Sequence, residues 1–343
     1  MRQFIVMIMF AVLSATTVGQ TGTLVVLNKS EHTASLIDIS NGKTVATVQT
    51  GTAPHEVAVS PDGRIAVVAN YGAATPGNSM TVIDLTSQTV IRQIDLGKYR
   101  RPHGILWLEG PRDIAVTAEA NKVLLTVDIE AGTITSVIET DQDVSHMVAV
   151  TRDFSRAFVA NIRSGSVTVI DLMQKKRIRN IPTGAGTEGI DVSPDGKEVW
   201  ITNRSANTIT VLDTKSLGEI AVIACPDFPI RAKFTPDGKN VLVSNARSGD
   251  IAVFDARKKE EVRRIRMELS AARDADTRLF GTQFGTSPVP IGILILPDGT
   301  RSYVANSNAD IVTVIDLSTW EIADRIKTGK GPDGLGYSPL KPK

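Results

Sequence analysis

A single cysteine, Cys225, stands in a chain of 343 residues. No internal disulfide can form, so the core alone must hold the fold, and a chain of this length can bury enough surface for that. Cys225 follows the apolar run Ile220 to Ala224 and reads as a buried small hydrophobe rather than a nucleophile. No Cys-x-x-Cys-His is present, which excludes a covalently attached c-type haem. An excess of charge is missing too. The 38 basic and 37 acidic residues nearly cancel, so the chain lacks the basic footprint of a nucleic-acid binder. The short run Lys175-Lys176-Arg177 follows a strand-ending Asp and reads as a solvated turn. Gly-x-Ser-x-Gly, P-loop and dinucleotide fingerprints are all absent.

Long hydrophobic runs are equally scarce. Phe4 to Leu13 is unbroken and apolar, but a bilayer span needs about 20 such residues. Arg2 before it and the small residues from Ser14 to Gly19 after it give the layout of a secretory signal over residues 1–19, cleaved near Gly19. An uncleaved anchor is the alternative. With cleavage, residues 20–343 form the mature chain, with no membrane span and a periplasmic or extracellular location.

What is present is repetition. The phrase apolar-x-apolar-Asp ends at Asp38, Asp84, Asp128, Asp171, Asp213, Asp255 and Asp316, with spacings of 46, 44, 43, 42, 42 and 61. Pro-Asp-Gly recurs at Pro61, Pro194, Pro236 and Pro297. The fifth unit reads as four short strands: Gly189 to Ser193, Glu198 to Asn203, Thr208 to Asp213 and Glu219 to Ala224. Turn residues separate them, and β-branched residues dominate. Four-stranded units of this length stack as propeller blades, so the expected fold is an all-β, seven-bladed β-propeller with four antiparallel strands per blade. The chain opens on a second strand, Thr23 to Asn28, and ends on a first strand, Pro332 to Pro339. The C-terminal strand should therefore complete blade one and close the ring.

The phrases Tyr303-Val304-Ala305-Asn306, Val68-Ala69-Asn70, Val159-Ala160-Asn161 and Ile201-Thr202-Asn203 resemble the YVTN repeat. Val59-Ser60-Pro61-Asp62-Gly63 and Thr81-Val82-Ile83-Asp84 extend the resemblance from about Gly22 to Pro339. Repeats of this kind are similar to those of bacterial and archaeal surface proteins, haem-d1-type propellers and lactonase-like enzymes. The resemblance implies the fold and leaves the function open.

Strand order assigns each loop to a face. Loops between blades and after the recurrent Asn lie on one face, here the top, and the length variation gathers there. It comprises Tyr71 to Asn78, the connection holding Lys98 to Arg101, and an insertion of about Met267 to Pro288. In that insertion Leu269, Ala272, Ala275 or Asp276, and Leu279 approximate helical spacing, so a short helix acting as a lid, or packed on the rim, is expected. Elaboration of one face points to a binding face.

Aligning the starts of the seven inner strands gives a second-position series of His55, His103, His146, Glu188, Ile230, Ile291 and Asp333. The chain has only four histidines, and three fall at this register on consecutive blades. Equivalent positions in a ring converge on its axis. Imidazoles with a carboxylate suit Zn, Cu, Fe, Ni or Mn, so His55, His103, His146 and Glu188 are candidate ligands of one transition-metal ion. A metal-free acid–base or ligand site, or a merely solvated polar mouth, fits the same pattern. The recurrent Asn at positions 28, 70, 161, 203, 245 and 306 reads as structural, and Glu119 takes its place in blade three. Glu119, Glu188 and Asp333 are candidate catalytic groups. Arg101, Arg163, Arg204, Arg231 and Arg247 form a candidate rim for a small anionic ligand. The sequence leaves three functions open: ligand binding outside the cytoplasm through this mouth, a metal-dependent hydrolase, lyase or oxidoreductase at the same place, or a scaffold for an extracytoplasmic protein partner.

Overall fold

The computed structural model describes residues 20–278 and 280–342; the signal-like segment 1–19 and Leu279 lie outside them. Seven antiparallel sheets of four strands each make a seven-bladed propeller. Blade one runs Pro332–Ser338, Thr23–Asn28, Thr33–Asp38 and Lys43–Gln49 from the inside outward. The C-terminal strand is therefore the innermost strand of the first sheet, as the sequence leads one to expect, and it closes the ring between blades seven and one.

The second and third strands of each blade are buried on both faces because each sheet lies between two neighbours. Thr23–Asn28 is buried at every residue. Trp200, Ile209 and Val211 of blade five pack on Phe234, Val241, Val243 and Phe254 of blade six. Leu24, Val26 and Ile37 of blade one meet Tyr303, Val312 and Val314 of blade seven across the closing seam. Each such side chain contributes about 1.5–3 kcal/mol on leaving water. The fourth strands alternate, as in Lys43–Gln49, with one side facing solvent. All seven recurrent aspartates bind the backbone of the turn that follows, for example Ser40 N to Asp38 Oδ1 at 2.9 Å and Ser318 N to Asp316 Oδ1 at 2.8 Å. They are fixtures of the turns, as their sevenfold repetition implies.

Three local features differ from the sequence reading. The register pairs Pro102 with Ala118, as Pro54 pairs with Asn70. Ala118 thus occupies the Asn place in blade three, and Glu119 stands one residue further on, starting a 3-10 turn, Glu119–Asn121. The stretch after Asn70 is a lengthened hairpin, with Gly72 paired to Pro76, rather than a free loop. The blade six to seven insertion holds one 3-10 turn, Ala275–Thr277, and no longer helix among the described residues. Its apolar residues pack locally instead: Leu269 against the blade six to seven core, and Phe280 and Phe284 against Phe228.

Candidate functional site

Every inner strand has a β-bulge at its second and third residues. In blade four Ser145 pairs with Asn161 and Val148 with Val159, so His146 and Met147 oppose the single residue Ala160. Corresponding register shifts recur in the other blades. A bulge re-aims the side chain at its apex, and here it aims the second residue of each strand into the channel mouth. The third residue is glycine in four blades. A Cβ on Gly104, Gly189, Gly292 or Gly334 would sit 2.2–2.5 Å from the carbonyl oxygen of the next blade's ring residue. Hydroxyls strengthen the same joints: Gly104 N donates to Thr117 Oγ1 at 3.0 Å, and that hydroxyl donates to His146 O at 2.7 Å. Thr202 in blade five and Ser244 in blade six do the same at their own joints.

The ring brings together His55, His103, His146, Glu188 and Asp333, all buried. The imidazoles stack side by side, with centroids 4.7 Å apart for His55 and His103 and 3.6 Å for His103 and His146. His103 Nε2 lies 3.0 Å from His55 Nδ1, which is 3.3 Å from Asp333 Oδ2. His146 Nδ1 contacts Glu119 Oε1 directly, and its Nε2 is 3.4 Å from Glu188 Oε1. Tyr71 donates its hydroxyl to Glu119 Oε2 at 2.7 Å. Arg204 pairs with Glu188 at 2.5 Å.

Burial and charge set the protonation states. Burial, reinforced by the Lys29 ammonium at His55 and by the other imidazoles, holds His55 and His103 well below the ordinary histidine value, so both are neutral at pH 7. Burial also lowers His146, but the charges and hydrogen bonds of Glu119 and Glu188 outweigh it and the net shift is upward. Burial raises Asp333 to about 6. Burial works in the same direction on Glu188, yet Arg204, His146 and Arg231 bring it down to about 2. Lys29, desolvated beside this cluster, falls to about 8 despite the carboxylates of Asp333 and Glu119.

Above the ring lies a cavity of about 530 Å³. Its polar wall holds the three histidines, Tyr71, Glu119, Glu188, Arg163, Arg204 and Asp333; Val144, Ile162, Ile230, Ile291 and Phe280 make the apolar remainder. Of the five expected rim arginines, Arg163 and Arg204 line this cavity. Arg231 borders it too, but as a buried side chain tied to Glu56 and Glu188 rather than a rim cation. Arg101 lies over the Tyr71 ring at 4.7 Å and Arg247 over Phe284 at 5.7 Å, both outside the lining. Tyr71 and Lys29 escaped the sequence reading although a signal existed. They occupy the position after the recurrent Asn, where Glu119 and Arg204 also stand.

No curated protein matches the sequence. Residues 110–233 match the family model described as the cytochrome D1 heme domain. Among solved structures, Kuenenia stuttgartiensis hydrazine synthase is similar at 19% identity and a TM-score of 0.72, covering 89% of this chain and 99% of that one. Dihydro-heme d1 dehydrogenase NirN, solved in complex with DHE, is similar at 16% identity and a TM-score of 0.67, covering 92% of this chain and 75% of that one. At such identities the structural likeness speaks for the fold. In sequence the chain is similar to the cytochrome D1 heme domain over residues 110–233, and in fold it is similar to these two structures over nearly its whole length.

Proposed function

We propose that this chain is an exported ligand-binding propeller that takes up a small anionic molecule in the mouth cavity. The ligand's charge would face Arg163 and Arg204, and its body would rest on Ile162, Ile230, Ile291 and Phe280. The cavity itself carries this reading. At about 530 Å³ it falls in the size range of small-ligand sites, and it combines an apolar wall with a few convergent polar groups. The proposed export rests on residues 1–19; no described helix is long and apolar enough to cross a membrane.

The resemblance to haem-d1-type propellers raises a tetrapyrrole as the ligand, and the clustered histidines do not fit one as its pair of axial ligands. Four positions of a tetrapyrrole iron are taken by the macrocycle, leaving two on opposite faces. Here ligand atoms of His103, Glu119 and His146 crowd within 4.8 Å of one another. The His103 and His146 rings, 3.6 Å apart, admit no plane between them.

Titration calorimetry with succinate, citrate and inorganic phosphate tests the reading. At least one is expected to bind, and the double substitution Arg163→Ala/Arg204→Ala should weaken it at least tenfold, whereas Arg257→Ala in an exposed turn should not. If none binds, or the double variant binds as well as the wild type, the reading is wrong. A second reading, a metal-dependent enzyme, is favoured by one observation: buried ligand atoms of His103, Glu119 and His146 lie within 4.8 Å of one another in the same cavity as the Asp333 carboxyl, which burial raises to about 6. Turnover of a bound anion that is lost both on metal removal by a chelator and in Asp333→Asn would establish it.

A further inference from the structure

Two imidazoles and a carboxylate meet where the third and fourth blades adjoin. His103 and Glu119 come from blade three and His146 from blade four, each buried, with ligand atoms all within 4.8 Å of one another. Donors around a four-coordinate ion with bonds of about 2.0–2.2 Å stand roughly 3.4 Å apart. Side-chain shifts of about an ångström therefore close the set around one ion.

The groups behind the donors are arranged to hold them. His103 Nδ1 is buried without a hydrogen-bond partner, an arrangement native proteins avoid unless something binds the atom. If His103 Nε2–H donates to His55 Nδ1, 3.0 Å away, the Nδ1 lone pair is free to bind. The Tyr71 hydroxyl fixes the outer oxygen of Glu119 at 2.7 Å. Such second-layer hydrogen bonds orient and support metal-binding side chains. Glu188, grouped with the donors on sequence grounds, is drawn away by Arg204 at 2.5 Å and Arg231 at 3.3 Å.

We propose that His103, Glu119 and His146 bind a single divalent first-row transition-metal ion, with its open coordination positions turned to the mouth cavity. Two imidazoles with one carboxylate is a set used by zinc and by non-haem ferrous iron at sites that keep positions free. His55 and Tyr71 act as positioning residues. The ion gives an incoming anion a direct bond. The inference rests on the mouth cavity being the binding site.

The test uses the full chain stripped with a chelator, dialysed, and reloaded with Zn²⁺, Co²⁺ or, without oxygen, Fe²⁺. Metal analysis should give one ion per chain, and Co²⁺ should produce visible ligand-field bands. His103→Ala and His146→Ala should each weaken metal binding at least a hundredfold, and Glu119→Gln at least tenfold. Thermal melts identify any variant that fails to fold, and the wild-type Co²⁺ spectrum stands without the variants. Failure to retain any of the three ions at one per chain overturns the inference, as does retention unaffected by both histidine changes. So does one-to-one binding of iron protoporphyrin that needs His103. The two readings fail separately. Arg204-dependent anion binding without metal sinks only the ion, while a retained ion with no anion uptake sinks only the proposed function.

Discussion

Arg231 of blade six and Glu56 of blade two meet across the channel axis at 2.6 Å. Both occupy the third position of an inner strand, where four other blades have glycine. Their pairing forms a bar beneath the histidine ring, and Arg231 borders both the mouth cavity and a second cavity of about 330 Å³ below it. Burial opposes the arginine's charge, but Glu56, Glu188 and Asp333 reverse the effect and raise its pKa. Removing one partner of a buried pair strands the other, at a cost of about 3–5 kcal/mol, whereas replacing both with apolar side chains is often neutral. Arg231→Met should therefore lower stability by roughly that amount, and Arg231→Met/Glu56→Met should recover most of it. Denaturant unfolding of the two variants measures both effects. Equal losses would mean that the bar contributes nothing as a pair.

The glycine joints give a second prediction. A Cβ at Gly292 would lie 2.2 Å from Asp333 O, a backbone atom of the next blade. Blade seven would have to move away from blade one at the seam closed by the C-terminal strand. Gly292→Ala should cost about 1–3 kcal/mol, the usual range for overpacking. Gly218, whose nearest neighbour would be Ser216 Oγ at 3.5 Å, should tolerate Ala within about 0.5 kcal/mol. Thermal or denaturant melts of the two variants compare them directly.

The joints also explain which parts of the site could be read from the sequence. Blade number, closure and the converging histidines follow from repeat register alone, because one position in a closed ring faces one axis whatever residue fills it. The repeat alone puts Glu119 one position too early, because blade three lacks the Asn and a 3-10 turn follows Ala118. The repeat phrase therefore gives no local anchor there. Arg231 looked like a rim cation because the alignment shows height along the axis, not which carboxylates await it from other blades. Glu56 is 175 residues away in the chain. The apparent helix period between Glu268 and Phe280 gives way to Phe228 and Phe284, which offer Phe280 aromatic packing that a free helix would forgo.

Turn carboxylates should govern acid sensitivity. Asp153, in the inner hairpin of blade four, accepts hydrogen bonds from Thr151 Oγ1 at 2.6 Å, Ser155 Oγ at 2.8 Å and Ser155 N at 3.1 Å. The Thr151 bond is the largest influence, and together they lower the carboxyl to about 2. A folded-state value below the unfolded one stabilises the fold above the unfolded pKa, and that stability disappears as pH falls through the folded value. The Asp153 contribution should be intact above about pH 4 and lost by about pH 2. Melting temperatures of Asp153→Asn and the wild type, followed from pH 6 to 2, should differ at the upper end and converge at the lower. A constant difference across the range would show that the charge is irrelevant.

Cys225 gives the remaining prediction. Its side chain is fully buried between blades five and six, with Sγ 3.4 Å from Asn245 Oδ1, and burial pushes the thiol up to about 12. Only the thiolate reacts with alkylating agents, and at pH 8 a thiol of that pKa is ionised to about one part in ten thousand. Iodoacetamide should leave the native chain unmodified for hours and label it at a normal cysteine rate in denaturant. Because blades five and six must separate before the sulfur is reached, the labelling rate through the transition should follow the unfolded fraction seen by circular dichroism. Labelling well below that transition would instead reveal local parting of the two blades, and with it a weak joint in the ring.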